Sequence, residues 1–281
     1  MADAAQIENR VLYWLANDST ILSLYRAFDA GTGKDPYCAS AEILRGKPVA
    51  GKKENPSEED KSWRNVGKVC EIALGYQMGT DAFADRCSAE EIDLSKVGLT
   101  PKECLEKWRQ NHPSIAGPRG IWRLLECGIE AVVKDGKPRQ HLVDGTSVMV
   151  TMNDRNLYIG LPSGRHLVYR NARMSASLKF PWKQQVTYDS PVGISQLYGG
   201  LITENIVQAI AADCFRFWIL SAEMAGLKVI GHTHDEIIIE ALEQDLQSVL
   251  ELIKSIMKTP PPWAWSLPVN ADPDSHVHYK K

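Results

Sequence analysis

GHTHDEIIIE, residues 231–240, places two histidines and two adjacent carboxylates at the head of three consecutive isoleucines. Apolar, β-rich arms flank this polar centre, so residues 227–242 are predicted to form a hairpin with His234 and Asp235 at its tip. A strand pair holds a tip carboxylate rigidly, which suits a hard divalent cation that takes few carboxylates together with substrate phosphates. One Asp does not make such a site, and polar residues at a hairpin turn commonly bind nothing. The HxH spacing also suggests zinc, but the HxHxDH hydrolase pattern needs a further His that HTHDEI does not supply. Taken alone, the stretch leaves turn and metal site both open.

The surrounding chain limits the choices. Its 281 residues suffice for one large domain or two ordinary ones, and a hydrophobic share of 44% is enough to bury a core. A net charge of −3 makes no global case for nucleic acid, so phosphate would have to meet local basic clusters. The six cysteines are scattered without a CxxC pair, which suggests neither a zinc ribbon nor a disulfide framework. No stretch reaches the length of a membrane span and the first residues lack a signal-peptide core, so no membrane is expected and a cytoplasmic protein is, in the host cytoplasm if phage-encoded.

Helical spacing of Ile7, Val11, Leu12 and Leu15 makes the start read as helix almost from the first residue, and Asp18 precedes a second amphipathic segment. Residues 30–60 hold Gly, Pro and charged residues around a short helical piece and read mostly as loop. A helix is predicted over 58–78. A further helix follows Thr100 as cap with Pro101 at its first position, and another covers IWRLLECGIEAVV. Between 141 and 188 short β-rich runs separated by Asn, Asp, Gly and Pro predict an antiparallel sheet. The strongest helix is predicted over 201–225, ending at Gly226, and a last helix stops at the prolines 260–262, after which the tail could add a strand. The fold class is α+β.

Two other stretches bear on the opening question. ADAAQIENRVLYWLAND begins with Asp3, which at a helix entrance would ordinarily be read as a cap. RNVGKVCEIALGYQMG carries Arg64, Lys68, Ile72 and Tyr76 at successive four-residue steps, which on a helix drift by roughly 40° each and line one broad flank. A solvated basic edge beside a core tyrosine is the simpler account of that flank. In order, DAAQIENR, RNVGKVCEIALGYQMG and HTHDE resemble motifs A, B and C of the family A DNA polymerases, the bacterial polymerase I and phage type. DPYCASA, WRQNHPSI, LPSGRHLVY and YGGLITENIVQAIAAD look like the phage branch, so the resemblance runs from Asp3 to the terminal YKK.

The resemblance implies a right-hand polymerase: palm over 1–30 and 141–281 around an antiparallel sheet, mainly helical fingers over 31–140, and no thumb. It implies template-directed addition of deoxynucleotides to a primer 3′ end, with primer-template DNA and dNTPs as partners. Asp3 and Asp235, although 235 − 3 = 232 positions apart, match the aspartates that hold two Mg²⁺ ions, with the Ala4 carbonyl as a further ligand. Arg64 and Lys68 match the cations on the triphosphate, and Lys68 is placed to assist pyrophosphate departure. Tyr76 matches the aromatic beside the nascent pair, and Glu8 the residue that crowds the sugar 2′ position. His234 and Gln208 match contacts to the primer end and minor groove, with Gln6 and Arg10 as support for that surface. Glu236 matches the motif C glutamate, a nearby carboxylate.

The chain departs from the pattern at several points. Ala4 and Ala5 replace Tyr and Ser, and Ile72 stands where Phe or Tyr is usual, which unsettles discrimination at the sugar 3′ position. GGLITEN lacks the usual Arg, and Asn205 is one residue off the usual spacing. The palm strand that leads into motif A is missing, so the sheet is expected to have an open edge beside the metal site. A split polymerase is therefore expected, with a second chain supplying thumb, missing strand and perhaps exonuclease. A fragment of a longer gene is one alternative reading, and a non-catalytic DNA-binding or assembly subunit is another.

Overall fold

The computed structural model describes residues 1–177, 180 and 182–278. The chain opens on a strand, β1 (Ala2–Ala4), followed by α1 (Ile7–Leu15) and α2 (Ser19–Asp29). The helical block continues through α3 (Pro36–Arg45), α4 (Glu58–Leu74), α5 (Thr80–Ala89), α6 (Pro101–Asn111), the short α7 (Pro113–Ala116) and α8 (Ile121–Asp135). A meander follows: β2 (Arg139–Val143), β3 (Thr146–Asn153), β4 (Asn156–Gly160), β5 (His166–Ala176), β6 (Gln184–Ser190) and β7 (Gly193–Leu197). The long α9 (Gly199–Met224) leads to the hairpin β8 (Lys228–Thr233) and β9 (Glu236–Glu240), then α10 (Leu246–Met257) and β10 (Ala271–Pro273).

Local chemistry explains many of these boundaries. Thr100 accepts a hydrogen bond from the Glu103 backbone N–H at 3.2 Å while the Glu103 carboxylate accepts from the Thr100 N–H at 2.8 Å, closing the first turn of α6 behind Pro101. Ser57 and Asp60 cap α4 in the same way. Gly226, at φ +81°, ends α9 in the left-handed conformation that glycine adopts without strain. α9 is flanked by α1 and α8 and buries Ile202, Ile206, Ile210 and Trp218 between the helical block and the palm sheet.

The meander is the antiparallel sheet expected over 141–188, extended at both ends. The second sheet runs β10-β1-β9-β8, all antiparallel, with Asp3 opposite both Glu236 on β9 and Asp272 on β10. This overturns the expected open edge. The chain's own tail, Ala271–Pro273, pairs with β1 on the side where a strand was expected to be missing.

The short helical piece expected within 30–60 is the ten-residue α3, capped by Asp35 with Pro36 at its first position. Two further expectations change. The first residues form a strand rather than helix, because Ala2 and Ala4 are buried between two neighbouring strands. α4 stops at Leu74 instead of continuing to 78. Gly75 lies so close to Leu12 that an added Cβ would sit 2.6 Å from its Cδ2, and Gln77 takes a positive φ of 64°. Tyr76 is thus on a turn, not on the helix flank with Arg64 and Lys68. The terminal YKK lies outside the described residues.

Candidate active site

β1 and the β8–β9 tip bring Asp3 and Asp235 together: the Ala4 N–H donates to the Asp235 carbonyl at 3.0 Å, and the two carboxyl groups lie close enough to interact. Burial, then the charge of Asp235, with Glu236 and Asp272 adding to it, push the Asp3 carboxyl up to about 6. A carboxyl that holds a proton this firmly beside a second carboxylate is a place where a cation relieves repulsion. The pair fits a hard divalent ion held by a few carboxylates, with the remaining positions left to substrate phosphate. Among the described residues no group of three or more His, Cys, Asp or Glu is arranged to cage a metal. His232 is engaged elsewhere, its ring edge-on to Phe215 at 5.6 Å.

His234 adopts a φ of +52° at the hairpin tip, where it is exposed. It lines a cavity of about 220 Å³ together with Ala4, Glu8, Gln208 and Asp235. Glu8 and Gln208 also line an adjoining cleft of about 940 Å³, which adds Ile72 and Tyr76. Residues from the start of the chain, from the end of α4, from α9 and from the hairpin therefore line two cavities that have Glu8 and Gln208 in common. The approach of the Tyr76 turn to α9 depends on Gly200, and that of α8 on Gly199. A Cβ at Gly199 would lie 2.4 Å from the Trp122 carbonyl, and one at Gly200 would lie 2.2 Å from that of Tyr76.

The other predicted residues fall elsewhere. Arg64 is held by Asp35 at 2.8 Å, with its guanidinium 5.3 Å from the Tyr37 ring centre, and does not line either cavity. Lys68 is exposed and forms no ion pair among the described residues. Glu236 is half-buried in β9 beside Asp3. Gln6 turns inward, its side-chain oxygen buried without a hydrogen-bond partner among the described residues. Arg10 requires a correction as support for the DNA surface. Its guanidinium is fully buried, making a bidentate pair with Asp29 at 2.6 and 2.8 Å and donating to the Ala5 carbonyl at 2.8 Å. A side chain sealed in this way braces the strand that carries Asp3 from behind.

Three residues escaped the sequence reading. Asp272 on β10 faces Asp3, Glu204 faces Glu8 and Tyr76 from α9, and Glu71 is buried in α4. Buried Glu71 accepts from Tyr13 Oη at 2.5 Å and Trp108 Nε1 at 3.0 Å, and lies 3.4 Å from His112 Nε2. It thereby ties α4 to α1 and α6. Glu71 was visible as a carboxylate on an otherwise apolar helix face; the other two depend on long-range packing.

The helical block folded over a palm-like sheet is the architecture of a right-hand polymerase. It is similar to the POL domain of Pol1 from M. smegmatis, solved in complex with DNA primer-template and dNTP, with a TM-score of 0.52 and 19% identity over 96% of this chain and 38% of that one. The chain is also 30% identical over 290 aligned positions to the DNA polymerase of Bacillus phage SP02, an alignment that spans all of this chain and 41% of the phage protein. Both similarities run along nearly the whole chain. No family model matches it. Among the described residues no helix is long and apolar enough to cross a membrane.

Proposed function

We propose that this chain is the catalytic palm and fingers of a template-directed DNA polymerase, adding deoxynucleotides to a primer 3′ end, with palm over 1–30 and 141–281 and fingers over 31–140. The observation that carries the reading is the Asp3–Asp235 pair, whose Asp235 lines a cavity with Glu8 and Gln208, the two residues that also line the cleft of Ile72 and Tyr76. Asp3, Asp235 and the Ala4 carbonyl would hold two Mg²⁺ ions, which supply an acidified primer hydroxyl and neutralisation of the triphosphate. Lys68, free of ion pairs among the described residues, is available to the leaving pyrophosphate, and Arg64 meets the triphosphate by exchanging its Asp35 partner. Glu8 crowds the sugar 2′ position against Tyr76, while His234 and Gln208 meet the primer end.

Duplex grip and proofreading belong, in this reading, to polypeptide outside these 281 residues, since the chain spans about two fifths of its phage relative. A separate partner chain would dock elsewhere than beside β1, whose edges are both occupied. Primer extension by the purified chain, alone and with candidate partners recovered from native lysate, tests the proposal. Extension should be lost in Asp3→Ala and Asp235→Ala. Full activity in either variant rules out the two-metal assignment, and DNA binding without extension under all conditions supports an assembly role instead.

A further inference from the structure

DPYCASA begins at the cap of α3 and lines neither cavity, yet its first residues close around Arg64. Asp35 uses its two carboxylate oxygens for different tasks. Oδ1 accepts the Tyr37 N–H at 2.9 Å and caps α3, while Oδ2 accepts from Arg64 Nε at 2.8 Å. The Arg64 guanidinium also lies 5.3 Å from the Tyr37 ring centre. With Asp35 only 8% exposed, water competes little for the pair. An arginine held there is neutralised and kept off the cleft lining.

α3 cannot slide along α4 to release this contact. A Cβ at Gly67 would lie 2.1 Å from the Tyr37 carbonyl oxygen and 2.9 Å from the Ala41 backbone nitrogen, so backbone meets backbone where the two helices cross. Gly67 follows Arg64 by three residues, which puts the crossing about one turn from the ion pair. Release therefore falls to the side chains. Arg64 is engaged through Nε alone, and among the described residues neither of its terminal nitrogens has a hydrogen-bond partner. A one-point contact lacks the strength of a bidentate fork. A triphosphate, with several negative charges and many oxygens, can take the unused fork and outcompete a single carboxylate.

We infer that Asp35 is a positioning residue that sequesters Arg64 in the nucleotide-free chain and competes with a nucleoside triphosphate for it. This rests on the polymerase reading above, in which Arg64 meets the triphosphate, and adds to it a built-in restraint on nucleotide affinity. The test titrates the full chain with N-methylanthraniloyl dATP in Mg²⁺, without DNA, and follows fluorescence anisotropy. Asp35→Asn keeps an acceptor for the Tyr37 N–H but removes the charge, and Asp35→Ser does the same with a hydroxyl. These variants should bind the triphosphate roughly fivefold more tightly than wild type, the strength of a modest ion pair. The same fluorescent nucleoside without phosphates should not distinguish them. Arg64→Gln should bind the triphosphate more weakly, and Asp35→Asn should add nothing in the Arg64→Gln background. Tighter binding is a readout that loss of structure does not produce. Unchanged or weaker binding in the Asp35 variants, or equal tightening in the absence of Arg64, overturns the role of Asp35 alone. Absence of binding in wild type and every variant overturns the nucleotide reading with it.

Discussion

Gly200→Ala should destabilise the fold by displacing the turn that carries Tyr76. The added methyl would sit 2.2 Å from the Tyr76 carbonyl oxygen and 2.4 Å from the Gln77 Cβ, so backbone rather than a flexible side-chain end must move. Overpacking of this kind costs about 1–3 kcal/mol. The Gly200 N–H also donates to Gln77 Oε1 at 2.9 Å, and losing that bond adds about 1 kcal/mol. Alanine's advantage over glycine within a helix returns about 1 kcal/mol. The net loss is about 2 kcal/mol, which lowers the melting temperature by roughly 4–8 °C on the usual scaling for domains of comparable size.

Gly128→Ala is the matched control. Gly128 lies inside α8, and a Cβ there meets nothing within 4 Å, so the substitution should stabilise by up to about 1 kcal/mol. Thermal unfolding followed by circular dichroism separates the two. If Gly200→Ala melts at or above wild type while Gly128→Ala behaves as expected, the close approach of the Tyr76 turn to α9 is refuted. Primer extension adds a second readout, since a displaced Tyr76 should weaken nucleotide binding more than DNA binding.

Asp3→Asn should raise stability in metal-free buffer at neutral pH. An acid whose folded value lies near 6, above its unfolded 3.8, opposes folding when ionised, so the gain appears as pH rises through that window and vanishes below it. Discounted because the side chain is exposed, it amounts to about 1 kcal/mol, and Mg²⁺ should raise the melting temperature of wild type but not of the variant. An equal response to Mg²⁺ in both would contradict the cation site. Glu71→Ala should cost about 3 kcal/mol or more by leaving the Tyr13 hydroxyl and Trp108 N–H without their acceptor, read as a shift in the urea midpoint; a loss under about 1 kcal/mol would refute the network. Arg10→Met should also destabilise by about 3 kcal/mol, yet leave the salt dependence of DNA binding unchanged. A slope smaller by about one would return Arg10 to the phosphate backbone.

Local signals were legible wherever the determining chemistry lay within a few residues. The Thr100–Pro101–Glu103 cap, the hairpin tip at His234 and Asp235, and the glycine stop of α9 are of this kind. The end of α4 was not, because its helical periodicity continues to Tyr76 while the structure stops it at a glycine packed on Leu12. Arg10 misled for the converse reason. An arginine near a motif aspartate reads as a surface cation, and only the folding of α2 beside α1 delivers the Asp29 that buries it.

The acidic site shows most clearly what pattern reading cannot reach. Asp3 alone is an ordinary helix-entry cap, Asp235 alone an ordinary hairpin turn, and Asp272 an unremarked residue in a proline-rich tail. The sheet order β10-β1-β9-β8 sets these three distant segments side by side, with Asp3 in register with both Glu236 and Asp272. Antiparallel pairing then forces together like charges that no segment carries by itself, and the raised Asp3 carboxyl is the result. The strand that supplies Asp272 is also the one that covers the edge of β1, so a single pairing closes the sheet and adds to the negative field around Asp3. The crowding of carboxylates here is a property of the topology, and it would disappear if the tail were displaced and Asp3 and Asp235 allowed to separate.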